Sequence, residues 1–66
     1  MPSSVIRNYR YRPHEQALDI TFVSGRAYRY LHVPPKVYED MRASFSKGEF
    51  FNQRIRDHFA FERTDT

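Results

Sequence analysis

The stretch LDITFVSGRAYRYLHV, Leu18 to Val33, decides the fold, and two prolines, Pro34 and Pro35, close it. Leu18, Ile20 and Phe22 alternate with Asp19 and Thr21, so one face of this first arm is apolar and the other polar. Such a period of two predicts a half-buried strand. Ser24-Gly25 breaks the run, and the return arm again carries aromatics at alternate positions, Tyr28 and Tyr30 around Arg29. Two turns fit. A two-residue turn on Ser24-Gly25 sets Phe22 opposite Ala27 and Ile20 opposite Arg29. A three-residue loop, Val23-Ser24-Gly25 with glycine in the left-handed position, sets Ile20 opposite Tyr28 and Leu18 opposite Tyr30. One register step reverses every side chain. The second form is preferred, because it joins four large apolar groups and keeps Arg29 out of the core.

On the N-terminal side, Val5 to Arg12 (VIRNYRYR) has the β-branched and aromatic character of a strand. Tyr9 and Tyr11 share a face with which Ile6 is out of phase, and a bulge near Arg7-Asn8 would bring the two into agreement. Met1 to Ser4 reads as a loose end, and Pro13 with His14, Glu15 and Gln16 as the turn into the central arm. On the C-terminal side, Pro35 suits the first position of a helix, where a missing N–H costs nothing. Val37, Tyr38, Met41 and Phe45 recur at helical spacing, with Glu39, Asp40 and Arg42 outward. Ser46-Lys47-Gly48-Glu49 has the form of a capping box, with Ser46 as N-cap and Glu49 reaching back. It opens a second helix with a core stripe of Phe51, Ile55 and Phe59, after which Phe61 is placed over the sheet edge. The expected fold is α+β: a three-stranded antiparallel meander with two helices packed on one face, a single domain over residues 1–66, ordered from about 4 to 63.

Composition sets the bounds. A chain of 66 residues buries only about 60% of the surface its unfolded form exposes. It has no cysteine, so neither a disulfide nor a thiolate zinc site can staple it. Five tyrosines and six phenylalanines supply a core instead, at roughly 150–250 Å² each. No run is long and apolar enough for a membrane span or a signal core, so a cytoplasmic location is expected. The net charge of +3 is carried mainly by arginine, which suits planar contacts to phosphate or carboxylate. It also lies in the range that solubility alone favours.

The ordered set of residues resembles the KTSC domain. The marks are Tyr28-Arg29-Tyr30, Val33-Pro34, the spacing from Ala43 through Ser44 and Ser46, Gly48, Phe50-Phe51-Asn52, Ile55-Arg56 and the closing aromatics Phe59 and Phe61. The resemblance runs from about Ser4 to Arg63. The family is named for the C-terminal segment of some lysyl-tRNA synthetases and also occurs as small stand-alone bacterial proteins, so the resemblance implies an association with RNA. One departure is the tail, where Phe59-Ala60-Phe61 stands in place of an aromatic-Pro-aromatic triplet. Tyr28, Tyr30, Ser46, Gly48, Phe51 and Asn52 are expected to serve the fold.

The chemistry-bearing residues are few. Lys47, Phe50 and Arg54 fall at i, i+3 and i+7 along one flank of the second helix, with Arg56 toward the opposite flank. Basic residues around an aromatic suit single-stranded RNA, where phosphates meet cations and a base meets a ring. An ordinary solvated helix face gives the same pattern. Arg29 on the open sheet face is a further candidate. Tyr28 and Tyr30 could stack bases, but in the preferred register they belong to the core. Ser46 and Gly48 could cradle an anion, although helix capping explains both. His14, His32 and His58 lack metal spacing, and neither a phosphate loop nor a nucleophile elbow is present. Catalytic, metal and cofactor sites are therefore not expected. The expected function is a small non-enzymatic binding module associated with RNA or tRNA. The alternative is a protein-interaction module that uses an exposed strand edge or an aromatic patch.

Overall fold

The hairpin takes the three-residue form. In the computed structural model, which describes residues 6–65, strand β2 (Ala17–Phe22) pairs antiparallel with β3 (Ala27–Tyr30), with Leu18 opposite Tyr30 and Ile20 opposite Tyr28. The Phe22 N–H donates to Arg26 and the Gly25 N–H to Phe22, which closes a loop of three residues. Gly25 sits at φ +98°. A Cβ there would meet nothing within 4 Å, so only the backbone angle demands glycine. Replacing it, Gly25→Ala, should cost about 1–2 kcal/mol, the penalty of a left-handed L-residue. A urea melt checks this, and an unchanged midpoint would contradict it.

Strand β1 (Ile6–Arg12) pairs with β2 through Tyr9 opposite Ile20 and Tyr11 opposite Leu18. The register slips between Ile6 and Asn8, leaving Arg7 as the extra residue of a bulge. That slip returns Ile6 to the tyrosine face, opposite Phe22. The expected loose end at 1–4 and the start of the strand at position 5 lie outside the described residues.

The sheet has four strands, where the sequence predicted three. Strand β4 (Phe61–Arg63) pairs with β3, placing Phe61 opposite Tyr30, and the order is β1-β2-β3-β4. Phe61 does reach the sheet edge, but as part of the sheet itself. Three exposed residues carry too little alternation to announce a strand.

Two helices cover one face. Helix α1 (Pro35–Ala43) starts on Pro35 and buries Met41 completely. It rests on β1 through Tyr38, whose ring stacks on Tyr11 at 4.7 Å and meets Tyr9 edge-on at 6.2 Å. The helix stops before Phe45, because the Ser44 N–H and hydroxyl both turn back to the Met41 carbonyl. Phe45 is consequently fully exposed, not part of the core stripe.

Helix α2 (Lys47–Phe50) is capped by Ser46, whose Oγ accepts from the Glu49 N–H at 3.3 Å, while the Glu49 carboxylate stays exposed. It continues as a π-helical turn, Phe51–Ile55, closed by the Arg56 N–H on the Phe51 carbonyl at 2.8 Å. This i→i+5 closure widens the turn and keeps Phe51 and Ile55 on one buried face. It also ends the helix before Phe59. Asp57 adopts φ +67°, the His58 N–H turns back to Ile55, and Phe59 packs half-buried against the core from outside the helix. The core is Leu18, Ile20, Tyr30, Val33, Met41, Phe51 and Ile55.

Candidate functional site

Ring contacts leave a groove at the end of the sheet where the hairpin, β4 and the close of the second helix meet. It measures about 410 Å³ and is lined by Phe22, Ser24, Arg26, Tyr28, Tyr30, Phe51, Arg56, Asp57 and Phe61. Its position follows from the register. Tyr28 and Tyr30 face the helices, Phe51 stands edge-on to Phe22 at 5.2 Å and to Tyr30 at 5.4 Å, and Phe61 closes on Tyr28 at 5.5 Å. Tyr30 and Phe51 form a buried floor, and Phe61, 56% exposed, forms an outer wall that leans on Tyr28 and Tyr30. Burial of the Tyr30 phenol pushes its pKa up to about 12, with Tyr28 and Asp57 acting in the same direction and Arg56 against. Two cations and one acid thus border an aromatic floor. Among the described residues no ion pair engages Arg26, Arg56 or Asp57, and Arg56 makes one long hydrogen bond, 3.4 Å, to Asn52.

The RNA-binding candidates singled out in the sequence do not form one site, and among them only Phe50 and Arg54 meet. Arg29 lies on the sheet face opposite the helices, where Arg10, Asp19, Arg29 and Glu62 follow one another across the four strands. Its Nε bonds Asp19 Oδ1 at 2.8 Å, Arg12 Nε takes Asp19 Oδ2 at 2.8 Å, and Glu62 stands 3.7 Å from Arg29. Burial alone would raise the Asp19 pKa, but the two guanidiniums outweigh it and hold the carboxyl below its ordinary value. The open face is a charge ladder without rings, unlike the stacking sheet of an RRM.

Lys47 is half-buried and donates to the carbonyls of Arg42 and Ser44, at 3.2 and 2.8 Å, tying the two helices together. Arg54 lies over the Phe50 ring at 5.2 Å and reaches Asp40 at 3.8 Å. Phe50 itself packs partly into the core. Of the predicted set, only Arg56 reaches the groove. Tyr28, Tyr30 and Phe51, read as structural, both build the core and line the groove. Arg26, Asp57 and Phe61 went unrecognised as site residues. Arg26 offered one signal, a cation directly after the turn glycine and two residues before the tyrosine pair.

The KTSC domain model matches residues 2–59 of this chain. The chain belongs to the KTSC domain family. Among relatives of this KTSC domain, a lysine–tRNA ligase of Nostoc punctiforme is 45% identical over 60 residues, which cover 91% of the chain and 11% of the ligase. The chain thus corresponds to about a tenth of that enzyme's length. A protein of Stutzerimonas stutzeri, 38% identical over 66 residues, matches over 98% of this chain and 93% of its own length. The crystal structure of a KTSC domain protein from Yersinia pestis superposes with a TM-score of 0.87 at 30% identity, over 97% of this chain and 93% of that one. The domain therefore occurs both alone and as a small part of a tRNA ligase. Strand β4 begins just beyond the segment matched by the family model.

Among the described residues, no group of three His, Cys, Asp or Glu could hold a metal ion, and no helix is long and apolar enough to cross a membrane.

Proposed function

We propose that this KTSC domain is a non-enzymatic module that binds RNA or tRNA in the cytoplasm through the aromatic groove. The observation that carries the reading is the juxtaposition of exposed Phe61 and half-buried Tyr28 with the guanidiniums of Arg26 and Arg56, which no ion pair engages among the described residues. Rings take a base by stacking, and arginines take the flanking phosphates. The occurrence of the domain in lysine–tRNA ligases supports RNA as the partner. Arg54 with Phe50 would extend the surface along the second helix. Lys47 and Arg29 would have to leave existing partners and contribute little.

Fluorescence anisotropy with tRNA and with a mixed-sequence single strand tests this at low salt. Removing a charged hydrogen bond costs about 1.5 kcal/mol, so Arg26→Ala and Arg56→Ala should each weaken binding roughly tenfold. An absence of binding to either RNA would overturn the reading. A protein partner is the second reading, favoured by Phe45, whose ring is fully exposed between the helices. Binding that resists salt and is lost in Phe45→Ala would promote it.

A further inference from the structure

We propose that the groove accepts one unpaired guanine nucleotide of a single-stranded RNA segment, with the base against Tyr28 and Phe61, its two flanking phosphates on Arg26 and Arg56, and its Watson–Crick edge on Asp57. This rests on the RNA-binding reading above and adds the form and the base that the site selects.

Size and shape limit the occupant to a single strand. A volume of about 410 Å³ is that of a small-molecule site, with one buried floor and one exposed aromatic wall. A base held in a duplex is stacked on both faces and cannot offer one to Phe61. An unpaired base can be splayed out and stacked on a ring.

Asp57 supplies the choice of base. It is the one acidic residue lining the groove among the described residues. Its backbone stands at φ +67°, fixed by the turn that carries the His58 N–H back to the Ile55 carbonyl at 3.0 Å. An ionised carboxylate only accepts hydrogen bonds, and it can accept two in parallel. Guanine presents two adjacent donors, N1–H and the N2 amino group. Adenine and cytosine each set a ring acceptor beside their amino group, and uracil flanks its single N–H with two carbonyls. Only guanine satisfies both oxygens without bringing a lone pair against the carboxylate. The two arginines outweigh the single acid, so the groove still attracts phosphate.

The test uses the full 66-residue chain and four labelled oligouridines that differ only in a central guanine, adenine, cytosine or uracil. The guanine strand should bind at least about tenfold more tightly than the others, within the range for one bidentate base contact. In Asp57→Asn the ratio should fall to about one, and asparagine tolerates the left-handed backbone, so the turn is kept. Equal binding of all four strands, a guanine preference that survives Asp57→Asn, or equally tight binding of a duplex containing the same guanine would overturn the proposal while leaving RNA binding intact. No binding of any strand would overturn this proposal, and no binding of tRNA measured beside them would overturn both.

Discussion

Replacing Phe51 by alanine should remove about 3–5 kcal/mol of stability, the range for truncating a buried phenylalanine. Phe51 is 3% exposed and joins the second helix to β2 and β3 through edge contacts with Phe22 and Tyr30. A chain of 66 residues has a total stability of only about 3–10 kcal/mol, so the variant should be largely unfolded or close to it. The neighbouring Phe50 is half-buried and covered on one side by Arg54. Phe50→Ala should cost much less, about 1–2 kcal/mol, because less apolar surface is involved. Urea midpoints of the two variants measure the difference. Equal losses would place the wrong face of the second helix against the sheet.

The second large effect is alkaline. Tyr30 has a folded pKa of about 12 against the ordinary 10.0, chiefly because its phenol is buried. The neutral form is therefore the one the fold favours. Its contribution is fully present below pH 10 and is lost as pH rises through 12, since the unfolded chain ionises first. Two pKa units correspond to about 2–3 kcal/mol. Tyr11, whose hydroxyl donates to the Val33 carbonyl at 2.6 Å, is raised by burial as well and adds in the same direction. Stability should thus fall steeply between about pH 10 and 12, and Tyr30→Phe should flatten most of that fall. Thermal melts across this range, with tyrosinate absorbance as a second readout, check the prediction. A Tyr30→Phe protein with the same alkaline slope would contradict it.

Much of this architecture was legible in the sequence for definite reasons. Gly25 allowed two loop lengths, and the need to join four apolar groups and keep Arg29 out of the core selected the one that turns Tyr28 and Tyr30 toward the helices. The phase mismatch between Ile6 and Tyr9 announced a bulge, and Pro35 announced a helix start. The misses have equally definite causes. Phe61-Glu62-Arg63 is too short and too exposed to read as a strand. The Phe51–Ile55 interval fits an α-helix as well as a π turn, so nothing indicated that the helix would stop before Phe59. It stops because Arg56, after closing the turn on Phe51, swings to ψ 129° and Asp57 then takes φ +67°, with neither glycine nor proline to mark the break. Phe45 continued the apolar spacing of α1, but Ser44 ended the helix first. The groove was hidden for another reason. Its lining comes from the hairpin, the end of the second helix and β4, and no local spacing links those elements. Basic residues on one helix flank, by contrast, form a pattern visible in sequence, yet Lys47 and Arg54 already have partners within the fold.

The salt dependence of RNA binding tests the central claim most directly. The groove offers two guanidiniums outside any ion pair among the described residues, Arg26 and Arg56, rather than four scattered cations. Two neutralised phosphates give a slope near −1.4 in log K against log salt, so affinity for a mixed-sequence single strand should fall about sevenfold between 50 and 200 mM salt. The Arg26→Ala, Arg56→Ala double variant should lose that dependence together with most of its affinity. Binding that is absent at low salt, or that keeps the same slope in the double variant, would contradict the groove as an RNA site.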